Sequence, residues 1–195
     1  DLTSAKMTNE MLWQYFDEKQ IYRIDHYLGK EMIQNIMMVR FANRIFEDSW
    51  HNRTIKNVKI IAKETDGILG RAGYYDQSGA LKDMVQSHLL QMLSLIAMEV
   101  PLTYHSEDVK NEKVKVLEHL KFDKDSLIFG QYEGYHQEKN IPEDSQTETF
   151  VFLKAYVQTP RFKGVPFYLM SGKKLDQKES LIIIEFEETS EQRKW

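Results

Sequence analysis

The sequence predicts an α+β fold in which a mostly antiparallel sheet carries helices packed on one face. Amphipathic helical patterns dominate the first 120 residues, whereas β-favouring runs concentrate after residue 150. Helices and strands alternate too rarely for a doubly wound parallel sheet. The 195 residues can bury a sizeable core, and 42% hydrophobic with 29% charged residues is typical of a globular protein.

Apolar residues spaced three and four apart predict the helices. The spacing of Met7 and Met11 indicates an N-terminal helix, and a second helix begins near Gly29. A third runs from about residue 80 to residue 99, and a fourth covers residues 109–120. If the third is an α-helix, residues five positions apart are about 140° apart around it and do not lie side by side.

Runs of β-branched and aromatic residues predict four strands. They cover residues 54–63, 150–158, 167–170 and 181–186. Glycines make residues 67–73 rich in turns, and the polar stretch 133–146 is predicted to be a loop.

Composition excludes several functions. The chain has no cysteine, so disulfides, thiolate nucleophiles and cysteine-based metal sites are excluded, and we expect no metal. A net charge of -4 argues against nucleic-acid binding, and no apolar run is long enough to cross a membrane. With no signal peptide evident, we expect a cytoplasmic location.

Functional groups are densest in the segment from Arg23 to Glu31. His26, Tyr27 and Lys30 lie at the predicted start of a helix, where backbone N–H groups and the helix dipole favour a phosphate. If the segment is helical from His26, Lys30 lies on the same face, and we expect its ammonium group to face solvent in the empty site. The alternative is a capped helix entrance with a solvated lysine.

His88 lies within the apolar stripe of the third helix. It can be a core histidine with its hydrogen bonds satisfied, or a buried general base that needs a carboxylate to orient its ring. Asp25 is a better partner than Asp83, which is five positions away on the same helix. We therefore predict that Asp25 and His88 lie within hydrogen-bonding distance.

Lys173 and Lys178 belong to a basic turn that follows a strand. They can be part of a solvated turn, or they can supply further cations for a phosphorylated substrate. The sequence shows no G-x-G-x-x-G motif after a strand, because Gly67, Gly70 and Gly73 have the wrong spacing.

Several segments together resemble one enzyme family. Arg23–Glu31, RIDHYLGKE, is similar to the active-site signature of glucose-6-phosphate dehydrogenases. The similarity continues in family order through Arg40–Phe46, Arg71–Pro101, Gly130–Tyr132 and Gly164–Leu175. The resemblance implies oxidation of glucose 6-phosphate at C1 to the 6-phosphogluconolactone, with reduction of NADP or NAD.

The resemblance also implies a role for each candidate residue. It makes His88 the base that takes the C1 hydroxyl proton and Asp25 the carboxylate paired with that base. The remaining positions match groups that bind the sugar phosphate: His26, Tyr27, Lys30, Glu64, Asp83, Lys173 and Lys178. At Glu64 the match rests on spacing more than on a motif.

The resemblance further implies that residues 1–195 are a partial C-terminal substrate-binding and catalytic domain, without the family's N-terminal dinucleotide-binding domain. We therefore expect no cofactor on this chain alone, no activity in isolation, and a homodimer formed through the sheet. Two other functions stay open: a non-catalytic sugar-phosphate-binding domain and a helix-rich interaction domain.

Overall fold

The computed structural model describes residues 2–188, apart from the side chain of Met32. Within these residues, six α-helices and five strands follow one another, with a π-helix between α4 and α5. In chain order they are α1 (Leu2–Leu12), α2 (Glu31–Phe41), α3 (Arg44–Ser49), β1 (Ile55–Lys63), α4 (Ala72–Ala80), the π-helix (Leu81–Leu89), α5 (Leu90–Ala97), α6 (Ser106–Glu118), β2 (Leu120–Gly130), β3 (Phe150–Val157), β4 (Pro166–Gly172) and β5 (Glu179–Phe186). Among these described helices, none is long and apolar enough to cross a membrane.

The α+β class is confirmed, but the sheet is mixed. Its strand order is β2-β3-β4-β1-β5. Strands β2/β3, β3/β4 and β1/β5 pair antiparallel, whereas β1 and β4 pair parallel, with Val58 opposite Phe167. A parallel pair needs a long crossover, and here α4, the π-helix, α5, α6 and strands β2 and β3 lie between β1 and β4 in the chain. The periodicity of a single strand carries no information about its direction, so the sequence did not predict this pair.

The helices cover one face of the sheet. Alternate residues of β3 and β4 are buried, while those between them are only half-buried. The buried strand residues share one core cluster with side chains of the helical layer, among them Val85, Leu89, Leu93 and Ile96. The π-helix contacts both β1 and β4, which confirms that the helix carrying His88 packs against the sheet.

Strand β2 was not predicted. Its pairing with β3 is interrupted by a register shift between Asp123 and Ile128, where Lys124, Asp125 and Ser126 are followed by Leu127. Phe122 and Ile128 are half-exposed because β2 is an edge strand. The interruption breaks the alternation of apolar and polar residues from which strands are recognised.

The helix predicted over residues 80–99 is a π-helix followed by the α-helix α5. Helix α4 contains a non-helical residue, Gly79, just before its last residue Ala80, and the chain then forms nine residues of π-helix before α5. In a π-helix the hydrogen bonds join residues five positions apart, so such residues stack on one face. The α-helical expectation was therefore wrong for Asp83 and His88, which lie on the same face.

Candidate active site

The carboxylate of Asp25 holds the imidazole of His88. The distance from His88 Nδ1 to Asp25 Oδ1 is 2.9 Å, and the two side chains are 14% and 17% exposed. Asp25 Oδ1 also accepts the backbone N–H of Tyr27 at 2.8 Å, which fixes the carboxylate in the turn before α2. The predicted distance is confirmed. Because an ionised carboxylate only accepts hydrogen bonds, His88 Nδ1 donates the proton and Nε2 keeps a free electron pair.

Aromatic rings fix the remaining orientation of His88. The ring of Tyr27 stacks on the imidazole with centroids 4.6 Å apart, and His26 contacts it edge-on at 4.6 Å. Tyr27 is buried, whereas His26 is exposed. Burial raises the pKa of the Tyr27 hydroxyl, and the negative charges of Glu64, Asp25 and Asp83 raise it further.

Lys30 is held at the entrance to α2. The chain from His26 to Gly29 forms a turn rather than a helix, and α2 begins at Glu31 with Lys30 as its N-cap. The segment is therefore not helical from His26, and the condition under which His26 and Lys30 share a helical face is not met. Lys30 Nζ lies 3.6 Å above the centre of the Tyr27 ring and donates to Ser180 Oγ at 2.9 Å. The ammonium group of Lys30 is partly buried, which corrects the expectation that it faces solvent in the empty site.

A buried lysine and two further carboxylates complete the predicted set. Lys173 is 4% exposed, forms an ion pair with Glu64, and lies 5.0 Å from the centre of the Tyr75 ring. Asp83 accepts a hydrogen bond from the Tyr74 hydroxyl at 3.0 Å. The basic turn therefore sends one lysine inward, which the interpretation as a solvated turn does not predict.

Lys178 acts on the site through its charge. Its side chain is exposed. The pKa of Lys30 is lowered first by burial and then by the positive charge of Lys178, while the negative charge of Glu64 opposes both. Lys178 and Glu64 are thus close enough to Lys30 for their charges to act on it. A group with two negative charges placed between the lysines would relieve their repulsion.

Sequence reasoning missed two polar residues at this site. Ser180, on β5, accepts the hydrogen bond from Lys30, and no pattern in the strand distinguishes it. Lys113 lies on α6 between Val109 and buried Val116, at helical spacing. Burial lowers the pKa of Lys113, and the charge of Asp25 opposes this shift. A lysine on the apolar face of an amphipathic helix was the available signal.

Three side chains are close enough together to ligate a metal ion. One ligand atom from each of Asp25, His26 and His88 lies within 4.8 Å of the others. The same three groups also form a hydrogen-bonded acid–base pair with a second imidazole beside it, which needs no metal.

Two domain models match the chain. The model of the glucose-6-phosphate dehydrogenase C-terminal domain matches residues 37–194, and the model of the glucose-6-phosphate dehydrogenase NAD-binding domain matches residues 1–35. The chain belongs to the glucose-6-phosphate dehydrogenase family. The boundary between the two domain models lies just after the start of α2. Asp25 and Lys30 therefore fall in the part matched by the NAD-binding domain model, and His88 falls in the part matched by the C-terminal domain model.

Relatives from distant organisms match most of the chain. It is 44% identical over 189 residues to glucose-6-phosphate 1-dehydrogenase 6, cytoplasmic, from Arabidopsis thaliana. The aligned residues cover 96% of this chain and 37% of the relative. It is 45% identical over 203 residues to glucose-6-phosphate 1-dehydrogenase from Bacillus subtilis, with 96% and 42% covered. The chain therefore spans about two fifths of the length of these glucose-6-phosphate dehydrogenases.

Solved structures of the glucose-6-phosphate dehydrogenase family have the same fold. One, a glucose-6-phosphate dehydrogenase in complex with its substrate glucose-6-phosphate, superposes with a TM-score of 0.91 at 38% identity and covers 97% of this chain and 41% of that one. The Mycobacterium avium enzyme superposes with a TM-score of 0.90 at 37% identity, with 96% and 42% covered.

Proposed function

We propose that this chain supplies the sugar-phosphate site and the acid–base pair of a glucose-6-phosphate 1-dehydrogenase. The reaction oxidises glucose 6-phosphate at C1 to 6-phosphogluconolactone and reduces NADP or NAD. The observation that carries the proposal is the Asp25–His88 hydrogen bond beside the partly buried ammonium group of Lys30. His88 as the base and Lys30 as a cation that binds the phosphate then act on opposite ends of one small substrate.

His88 is the general base. Oxidation at C1 removes a hydride from carbon and a proton from the C1 hydroxyl, and Nε2 of His88 takes the proton because Nδ1 is engaged by Asp25. The imidazolium that forms is stabilised by the adjacent carboxylate. Stacking of Tyr27 on the ring keeps Nε2 directed at the same point throughout the reaction.

Cations hold the phosphate and thereby position C1. Lys30 and Lys178 form charge-assisted hydrogen bonds to phosphate oxygens, together with His26 and the Tyr27 hydroxyl. Lys173, Glu64 and Asp83 contact the sugar. Binding energy gained at the distant phosphate is used to place the C1 hydroxyl against His88.

The nicotinamide cofactor supplies the hydride acceptor of this reaction. The sequence contains no glycine-rich dinucleotide motif of the G-x-G-x-x-G type after a strand. We therefore assign to these residues only substrate binding and proton transfer. We also propose that residues 1–195 form a partial substrate-binding and catalytic domain that is inactive alone and that acts in the cytoplasm.

A homodimer through the sheet is part of the proposal. The sheet face opposite the helices carries half-buried Ile61, Phe152, Tyr168 and Met170 side by side, and Phe152 stacks on Tyr168 at 6.0 Å. An apolar strip of this kind suits a second copy of the same sheet. Light scattering of the concentrated chain is expected to give a dimer mass, and Phe152→Glu a monomer mass; a monomer before substitution contradicts this assembly.

A chimaera tests the catalytic part of the proposal. The matching segment of the Bacillus subtilis relative is replaced by this chain, and NADP reduction is followed with glucose 6-phosphate. We expect turnover, and we expect His88→Ala in the chimaera to abolish it while sugar-phosphate binding stays nearly intact. Binding without turnover in the unsubstituted chimaera favours a non-catalytic sugar-phosphate-binding domain, and absence of both favours an interaction domain.

A further inference from the structure

Glu148, in the loop before β3, makes hydrogen bonds to the start of the π-helix that carries Asp83 and His88. The Glu148 side chain accepts the backbone N–H of Leu81, the first π-helical residue, at 2.9 Å. Its backbone carbonyl accepts the N–H of Ala80 at 2.9 Å. Two successive N–H groups at the start of the helix are thus satisfied from one point outside it, although Glu148 is 67 positions from Leu81.

The backbone before the π-helix is shaped around the same side chain. Gly79 has φ 66° and ψ 175°, a conformation that essentially only glycine adopts. A Cβ built on Gly79 would overlap the carboxylate of Glu148. The break at Gly79 therefore interrupts α4 one residue before its end, lets the carboxylate approach the backbone, and allows the next helix to begin in a new rotational register.

The π-helical register continues to the residue that follows His88. The N–H of Leu90 donates to the carbonyl of Val85, and the hydroxyl of Ser87 donates to the carbonyl of Lys82 at 3.1 Å, both across five positions. If the segment relaxed into an α-helix from Leu81, residues five positions apart would lie about 140° from each other around the helix axis. Asp83 and His88 could then no longer face the same site.

We propose that Glu148 is a positioning residue that sets the rotational register of the π-helix and thereby keeps Asp83 and His88 on one face. Glu148 touches neither His88 nor Asp25. Its effect passes through the backbone of Leu81. The expected effect on glucose 6-phosphate binding rests on the proposed function. The expected effect of Glu148 on the His88 ring does not rest on it.

Two substitutions separate the length of the side chain from its charge. Glu148→Gln keeps an oxygen at the same reach and removes the charge, whereas Glu148→Asp keeps the charge and shortens the side chain. The ring ¹⁵N shifts of His88 and its hydrogen-bonded Nδ1 proton report the contact with Asp25 in the folded chain. We expect Glu148→Gln to retain this signature and Glu148→Asp to lose it, with glucose 6-phosphate bound on the order of tenfold more weakly by the Asp variant because Asp83 is displaced.

Glu148→Ala and Glu143→Ala complete the design. Glu143 is an exposed carboxylate in the same loop, and its removal is expected to change neither the His88 spectrum nor binding. Glu148→Ala is expected to behave like Glu148→Asp. If it does not fold, the comparison of Asp with Gln still decides. Retention of the His88 signature in the folded Asp variant, or its loss in the Gln variant, overturns the proposal. Failure of the unsubstituted chain to bind glucose 6-phosphate contradicts the proposed function alone.

Discussion

Replacing Lys30 by alanine tests the phosphate site in the structure as observed. Lys30 Nζ has three N–H donors, of which Ser180 accepts one, and the Tyr27 ring lies beneath the ammonium group at 3.6 Å. Two donors thus stay available for phosphate oxygens without loss of the existing contacts. The lysine is held in position before the ligand arrives, which reduces the entropy lost on binding.

The expected loss of affinity follows from the charge-assisted hydrogen bonds removed. Hydrogen bonds that involve charged groups contribute about 1.5–3 kcal/mol, so Lys30→Ala is expected to cost about 2–3 kcal/mol, or roughly 30- to 150-fold in Kd. The effect on folding is smaller. Lys30→Ala removes a cation–π contact and a hydrogen bond, but it also removes the cost of burying the ammonium charge, which is what lowers the pKa of Lys30. We therefore expect the free energy of unfolding to fall by about 1 kcal/mol, which corresponds to a Tm decrease of roughly 2–4 °C.

Calorimetric titration with glucose 6-phosphate measures this difference, with Lys174→Ala as the matched control. Lys174 also lies over a tyrosine ring, that of Tyr132 at 4.8 Å, and it is next to Lys173, but its nearest carboxylate is Glu138 at 4.0 Å. We expect the control to bind nearly as the unsubstituted chain does. Equal affinity of Lys30→Ala and the unsubstituted chain, or an equal loss in both variants, refutes the assignment of Lys30 to the phosphate.

The remaining predictions concern pH and the core. Burial lowers the pKa of Lys30, and a bound phosphate dianion raises it again. The affinity for glucose 6-phosphate should therefore decrease as the pH rises through the lowered pKa, and binding near that pH should take up protons. Calorimetry in two buffers detects this proton uptake, and Lys30→Ala should abolish it. Arg40, which is 2% exposed, donates to the carbonyls of Leu95 and Met98 at 2.5 and 2.7 Å. Arg40→Met leaves both carbonyls buried without these partners and is expected to lower the free energy of unfolding by about 2–5 kcal/mol in urea denaturation, whereas a change below about 0.5 kcal/mol contradicts the role of Arg40 at the end of α5.

Local patterns were sufficient to predict most of the elements. The β-branched and aromatic residues at 150–158 predicted β3, and the helical stripe around His88 predicted a helix packed against the sheet or a neighbouring helix; β3 and packing of this helix against the sheet are observed. The Asp25–His88 contact was predicted because a buried base needs an orienting carboxylate and because the segment around Asp25 resembles a family signature. The assignment of the other site residues to the sugar phosphate stays a prediction.

Features that depend on distant residues could not be predicted. The parallel pairing of β1 with β4 is decided by the path of the chain between them, which leaves no mark on either strand. The π-helix begins with a hydrogen bond from the N–H of Leu81 to Glu148, 67 positions away in sequence, and an α-helical wheel placed Asp83 incorrectly. The contact of Lys30 with Ser180 has the same cause, because it joins two elements 150 positions apart.

The six histidines of the chain offer the most direct test of the central claim that glucose 6-phosphate binds beside the Asp25–His88 pair. Ring signals are followed by NMR during titration with glucose 6-phosphate, with glucose and inorganic phosphate as separate controls. We expect the signals of His26 and His88 to shift and saturate together, while the signals of the remaining histidines stay in place: His51, His105, His119 and His136. Saturable shifts confined to those four histidines, or none at any histidine, would contradict this claim.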